Sequence, residues 1–133
     1  MGYFDELVGR RVVVVRGGRD VLSFETDRGV FAFEAEGDCC SHSWFEHITG
    51  ISTLLGEVVL AVRTVDMEEP TDDSYEKEHG MKPDCLKAYG YQIDTKRGTF
   101  EIEMRNHSNG YYGGWIHECT EEPPGLMRVE EDY

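Results

Sequence analysis

The alternation of apolar and polar residues predicts a chain built mainly from β-strands. The β-branched run Val12–Val15 is typical of a buried strand, and the segments on either side of Asp27-Arg28-Gly29 alternate like the two arms of a hairpin. The same pattern recurs around Lys96-Arg97-Gly98. The predicted strands are Arg11–Arg16, Val21–Thr26, Val30–Glu36, Glu57–Asp66, Leu86–Ile93 and Phe100–Met104.

One stretch of the chain predicts a helix instead. Asp38 is suited to cap a helix start, and Ser43 followed three residues later by Glu46 has the spacing of a capping box. We therefore predict a short helix from Asp38 to Thr49 in an α+β fold with a largely antiparallel sheet of six or seven strands. The apolar face of this helix would consist of Trp44, Phe45 and Ile48.

The two predicted hairpins resemble each other. Residues Thr26–Glu34 align with Thr95–Glu103 at a constant offset of 69, which is compatible with an internal two-fold repeat of a strand and a hairpin. The alternative is that shared turn chemistry and a half-buried face make unrelated hairpins look alike. In a true repeat, the polar segments that follow the two hairpins would leave equivalent strand ends and meet.

The length of 133 residues suits one domain, which we place at residues 1–119, with an acidic loop at 67–84 and an acidic tail at 120–133. The net charge is -14, and seven acidic residues lie within 66–78 and five within 120–133. Because no basic stripe exists to neutralise phosphates, nucleic-acid binding is not expected. The start of the chain lacks signal-peptide features and no apolar run is long enough to span a membrane, so we expect a cytoplasmic protein with reduced cysteines.

The first polar segment, residues 37–46, follows a predicted strand directly. At a helix start, unpaired backbone N–H groups favour bound anions and ionised thiols. An enzyme that uses Cys39 or Cys40 with His42 is therefore one interpretation, and the alternative is that these thiols are simply buried. The candidate binding residues of this segment are Asp38, Cys39, Cys40, Ser41, His42 and Trp44.

We predict a protein without a cofactor, and a zinc site is the alternative. The spacing of the potential ligands matches no structural zinc pattern, because no Cys-x-x-Cys occurs and adjacent cysteines seldom share a metal. No metal ligand is therefore assigned. The residues that would supply one are Cys39, Cys40, His42, His47, His107, His117 and Cys119.

The second polar segment, residues 105–115, follows the last predicted strand of the second hairpin. It is unusually polar for such a position, and its glycines could bring backbone N–H groups and tyrosine rings close to a ligand. It matches neither a phosphate-binding loop nor a dinucleotide fingerprint. Its candidate binding residues are Arg105, Asn106, Ser108, Asn109, Tyr111 and Tyr112.

These two segments carry a resemblance to a known group of proteins. Gly-Asp-Cys-Cys-Ser-x-Ser-Trp-Phe at residues 37–45 and Arg-Asn-x-Ser-Asn-Gly-Tyr-Tyr-Gly-Gly at residues 105–114 are similar to motifs of small uncharacterised domains from bacteriophages and bacteria. The resemblance covers most of residues 10–117. It implies a phage or bacterial origin and a shared site, but no activity.

From these observations we predict a non-catalytic protein that binds a small ligand or a protein partner where the two polar segments meet. In a phage, such a protein would serve host takeover or defence evasion, for example by sequestering a nucleotide signal. The alternatives are the cysteine-histidine enzyme and an acidic decoy of a nucleic-acid-binding protein. The predicted partners are a small molecule or a host protein, without nucleic acid or membrane, and homo-oligomerisation is compatible with the sequence.

Overall fold

The computed structural model describes residues 3–37, 41–67, 85–108 and 113–133, with the side chain of Cys85 excepted. In these ranges the chain forms two short helices and nine strands. The 3-10 helix is Asp5–Leu7 and helix α1 is Ile51–Leu54; neither has the length or apolar character needed to cross a membrane. The strands are β1 Val12–Gly17, β2 Val21–Thr26, β3 Gly29–Gly37, β4 His42–Thr49, β5 Ala61–Asp66, β6 Cys85–Thr95, β7 Gly98–Ser108, β8 Gly114–Cys119 and β9 Met127–Arg128.

The strands form two antiparallel sheets that exchange a strand. One sheet has the order β8-β3-β2-β1-β9 and the other has the order β4-β7-β6-β5. Strand β4 follows β3 along the chain but pairs with β7, and β8 follows β7 but pairs with β3. The chain therefore passes from one sheet to the other after each long hairpin.

One hydrophobic core joins the inner faces of both sheets. Phe24 of the five-stranded sheet lies edge-on to Phe100 of the four-stranded sheet, with ring centroids 6.4 Å apart. Phe4, which precedes the 3-10 helix, packs against both Phe33 and Tyr91. Because each strand alternates its side chains between two faces, the apolar positions of both hairpins reach this one core.

The predicted helix from Asp38 to Thr49 is wrong, because its described part, His42–Thr49, is strand β4. A β-bulge between Phe45 and His47 shifts the alternation, so Phe45 and Ile48 both face the core although they are three residues apart. This spacing imitates the apolar face of a helix. Pairing with β7 along most of the strand prevails over the weak local capping signals.

The predicted α+β fold with one sheet of six or seven strands is also wrong. The described residues are mostly antiparallel β-structure in sheets of five and four strands, which is closer to an all-β fold. The predicted strand Glu57–Asp66 is shorter than expected, since Val58 and Val59 make only isolated bridges before β5 begins at Ala61. Alternation shows that a segment is a strand, but it does not show which sheet the strand joins.

The registers of the two long hairpins are equivalent at the offset of 69. Thr26 pairs with Gly29 and Thr95 pairs with Gly98, and each later pair of β2–β3 has its counterpart in β6–β7. The turns share a further contact, because both threonine hydroxyl oxygens accept from the backbone N–H two residues further on, from Arg28 at 3.1 Å and from Arg97 at 3.2 Å. The equivalence reaches the exchanged strands, where Gly37 pairs with Gly114 and Asn106 pairs with Ser43.

The acidic tail packs against both sheets. Residues 120–126 connect β8 at one edge of the five-stranded sheet with β9 at the other. Val129 is buried and its N–H donates to the carbonyl of Val15 at 2.8 Å. Tyr133 then exchanges two backbone hydrogen bonds with Ile48 of β4, at 2.9 and 3.1 Å. The tail therefore links the edges of the two sheets.

Asp132 caps α1 from a distant part of the sequence, and its removal should weaken this link. Its carboxylate accepts from the N–H groups of Gly50 and Ile51, at 2.9 and 2.8 Å, and these bonds lower its pKa. We expect Asp132→Ala to reduce the free energy of unfolding by about 1 kcal/mol at pH 7. Because the folded pKa lies below the unfolded value, the contribution is complete above about pH 4 and is lost as pH falls through the folded pKa.

Chemical unfolding of wild type, Asp132→Ala and Asp132→Asn at pH 7 and about pH 3 would measure this effect. Asn keeps an acceptor oxygen but cannot titrate, so it is the matched control. The same difference between wild type and the Ala variant at both pH values would contradict an ionised cap.

Candidate functional site

A buried chain of hydrogen bonds joins the two polar segments at the end of the four-stranded sheet. Ser43 of β4 lies opposite Asn106 of β7. The Asn106 Nδ2 group donates to Ser43 Oγ at 2.8 Å, and this hydroxyl donates to the backbone carbonyl of Glu36 at 2.8 Å. Asn106 is fully buried. These hydrogen bonds thus connect β7, β4 and the end of β3 at the point where the polypeptide passes from one sheet to the other.

Two glycines on the facing sheet leave room for these side chains. Gly37 and Gly114 are paired, and they occupy the positions equivalent to Asn106 and Ser43 in the other half of the chain. A Cβ on Gly114 would lie 2.5 Å from Ser43 Oγ, and one on Gly37 would lie 3.0 Å from Asn106 Nδ2. Only the absence of side chains here lets the serine and the asparagine cross between the sheets.

Gly114→Ala should therefore destabilise the protein through Ser43. We expect the free energy of unfolding to fall by about 1 to 3 kcal/mol, since the new methyl group displaces a hydroxyl that is hydrogen-bonded to both Asn106 and Glu36. In a Ser43→Ala background the cost should be smaller, because the atom that clashes is absent. A double-mutant cycle by urea unfolding measures the difference, with Gly18→Ala as control because its new Cβ would meet only Leu126 at 3.4 Å. Additive costs would contradict the proposed clash.

Trp44 and Arg105 lie on the opposite face of the same strands. They are directly paired, but strand alternation points them away from Ser43 and Asn106. The guanidinium of Arg105 donates to Glu103 at 2.6 Å and lies 3.8 Å from Glu46, which also accepts a hydrogen bond from the Trp44 indole. Both residues are buried on this outer face. They support the strands from outside and do not reach the Asn106 side of the sheet.

The remaining predicted residues are distributed as follows. Ser108 lies on the same face of β7 as Asn106 and is buried. The Ser41 hydroxyl lies beside Gly37, whose Cβ, if present, would be 2.2 Å from Ser41 Oγ. His42 stacks on Trp44 on the outer face, with ring centroids 5.3 Å apart. Six predicted positions lie outside the described residues: Asp38, Cys39, Cys40, Asn109, Tyr111 and Tyr112.

The potential zinc ligands among the described residues are divided between the two sheets. His42 and His107 are paired, whereas His117 and Cys119 lie on β8 of the other sheet. Within the described ranges, no three His, Cys, Asp or Glu side chains are grouped as they would be around a metal ion. Burial, followed by the carboxylate of Glu34, raises the pKa of the Cys119 thiol, which is the opposite of what a nucleophilic cysteine requires.

Sequence reasoning missed three parts of the site. It considered Ser43 only as a helix cap and Gly114 only as a source of a backbone N–H group for a ligand. It overlooked the Tyr89 hydroxyl, which accepts from the Gly114 N–H at 3.1 Å. The offset of 69 contains a signal for the glycines, because it places Gly37 at the position equivalent to Asn106. Nothing local identifies Tyr89, which reaches the site from β6.

Two cavities lined by described residues lie away from Asn106. One, of about 790 Å³, lies between the tail and β4 and is lined by Arg19, Trp44, Glu46 and residues 127–133, among others. The other, of about 180 Å³, lies on the outer face of the four-stranded sheet above Gly90. Asn106 lines neither cavity. Its side chain is enclosed between the sheets at the ends of β3 and β7.

Comparison with known proteins places the chain in a family. The model of DUF7448, a domain of unknown function, matches residues 5–117. The chain belongs to the DUF7448 family. The match runs from the 3-10 helix to β8 and so includes the exchanged strands and the Ser43–Asn106 chain of this DUF7448 domain.

The domain is also similar to a viral protein. An uncharacterised protein of Acanthamoeba polyphaga mimivirus is 33% identical over 100 residues, which cover 72% of each chain. No solved structure matches this chain.

Proposed function

We propose that the protein is a non-catalytic binding protein whose small ligand hydrogen bonds to Asn106 where the sheets exchange strands. The supporting observation is that Asn106 Oδ1 is buried and has no hydrogen-bond partner among the described residues. Leaving a buried acceptor unpaired costs about 1 to 3 kcal/mol. A ligand that donates a hydrogen bond would recover this free energy on binding.

The position of Asn106 also favours a binding role. It lies two residues before the end of β7, and Ser43 lies next to the start of β4, so both are held by paired strands near strand ends. Side chains on rigid elements hold a ligand more precisely than side chains on long loops. Because Ser43 holds the amide nitrogen, the unpaired oxygen has a defined direction before any ligand arrives.

A small nucleotide is the ligand class that we propose. Nucleobases carry N–H groups that can donate to an amide oxygen. The net charge of -14 opposes binding of long nucleic acids but penalises one small ligand much less. The mimivirus relative supports a viral setting, in which sequestration of a nucleotide signal in the host cytoplasm would serve takeover of the host or evasion of its defences.

Isothermal titration of the full chain against a panel of nucleosides and nucleotides tests the proposal. We expect at least one member to bind, and Asn106→Leu, which has a similar shape but no acceptor, to weaken that binding by roughly 10- to 100-fold. Glu101→Gln on the exposed outer face of β7 is the matched control and should bind as wild type. Failure of the folded wild-type protein to bind any member, with no small molecule retained in native mass spectrometry, would overturn the proposal.

A further inference from the structure

The hydrogen-bond chain has only one consistent direction. The carbonyl of Glu36 can accept but not donate, so the Ser43 hydroxyl proton is committed to it. The Ser43 oxygen must then accept from its other neighbour, and the only donor in the Asn106 side chain is the Nδ2 amide nitrogen. The nitrogen of Asn106 therefore faces Ser43, and Oδ1 faces away from it.

Turning the Asn106 amide over would be costly. It would place Oδ1 against the Ser43 oxygen, and two acceptors repel each other in a buried site. If Ser43 rotated to donate to Asn106 instead, the Glu36 carbonyl would lose this hydrogen bond. The two orientations of the amide have nearly the same shape, but Ser43 makes one of them lower in free energy than the other.

We propose that Ser43 is a positioning residue that fixes Asn106 as a hydrogen-bond acceptor, so that the site selects ligands that present an N–H donor. This inference rests on the proposed binding function and adds the class of ligand. A ligand with a carbonyl or ether oxygen at the same place would face Oδ1 and leave two buried acceptors unpaired. A site built around one hydrogen-bond direction rejects the wrong partner strongly.

Three nucleosides that differ at one ring position provide the probes. Adenosine carries an amino donor at position 6, purine riboside carries hydrogen there, and 6-methoxypurine riboside carries only an acceptor. With the full-length wild-type chain, titration calorimetry should show adenosine binding roughly 10- to 100-fold more tightly than the methoxy compound, with purine riboside between them.

Ser43→Ala separates the positioning role from direct binding. Without the hydroxyl the amide can turn, so the preference for adenosine over the methoxy compound should fall to within about threefold while adenosine still binds. Ser43→Thr keeps the hydroxyl and should keep the preference. Because either variant could alter folding, side-chain amide NMR adds a second measurement: the Asn106 Nδ2 protons should exchange slowly in wild type and faster in Ser43→Ala.

The outcomes distinguish this inference from the function on which it rests. Equal binding of adenosine and the methoxy compound to wild type would overturn the donor selection but leave the binding function standing. A preference that survives unchanged in Ser43→Ala would show that Ser43 does not set it. If no nucleoside or nucleotide binds, the proposed function itself fails.

Discussion

In the Asn106→Asp variant, the free energy of unfolding is expected to fall steeply as the pH rises from about 4 to about 7. A protonated aspartic acid can replace the amide, since its O–H can donate to Ser43 as Nδ2 does. An ionised carboxylate cannot donate, and in this fully buried position it would be an unpaired charge. Burial therefore raises the pKa of the introduced carboxyl above the unfolded value of about 3.9.

The sign of the effect follows from the protons bound in each state. Below about pH 4 both states are protonated, and the variant should be nearly as stable as wild type. Above that pH the unfolded chain ionises while the folded protein keeps its proton, so stability falls by about 1.4 kcal/mol per pH unit until the folded pKa is reached. By pH 7 the loss should be about 3 to 4 kcal/mol. Urea unfolding at several pH values measures it.

Asn106→Leu is the control for this experiment, because it has a similar shape but no titratable group. The stability difference between this variant and wild type should not change with pH. If the stability difference between Asn106→Asp and wild type were also independent of pH, the interior around Asn106 would be hydrated enough to hold a charge. The acceptor oxygen would then already be solvated, which would weaken the argument for a ligand at this position.

The hairpins were predictable from sequence because their signals are local. Alternation, together with the Thr-x-x-Gly turns at Thr26 and Thr95, indicates both the strands and their registers. The strand β4 was missed for an equally local reason, since one bulge between Phe45 and His47 changed the apparent period. The exchange of β4 and β8 between sheets is set by packing, and no local pattern carries it.

The candidate site shows the same limit. The sequence identified Asn106 and Trp44 as unusual, but they lie on opposite faces of the sheet. Their faces depend on strand alternation, and the mistaken helix prevented that assignment for β4. The glycines that make room for the hydrogen-bond chain act across the two sheets, so their role appears only when Gly37 and Gly114 are seen opposite Ser43 and Asn106.

Gly50→Ala is expected to reduce the free energy of unfolding by about 3 kcal/mol or more. Gly50 follows β4 with a φ of +88°, in the left-handed region that costs an alanine about 1 kcal/mol or more. In addition, its new Cβ would lie 2.5 Å from the carbonyl oxygen of Thr99 in β7. This contact involves backbone on both sides, so relief requires the strands themselves to move apart.

Gly56→Ala measures the conformational cost of a positive φ without a steric clash. Gly56 has a similar φ of +81°, but a Cβ there would meet nothing within 4 Å. We expect its substitution to cost about 1 kcal/mol, and the excess cost at Gly50 then measures the clash with Thr99. Thermal and urea unfolding of both variants give the comparison. Equal costs would mean that the C-terminal end of β4 moves away from Thr99 with little loss of stability. The clash predicted at Gly50 would then be contradicted.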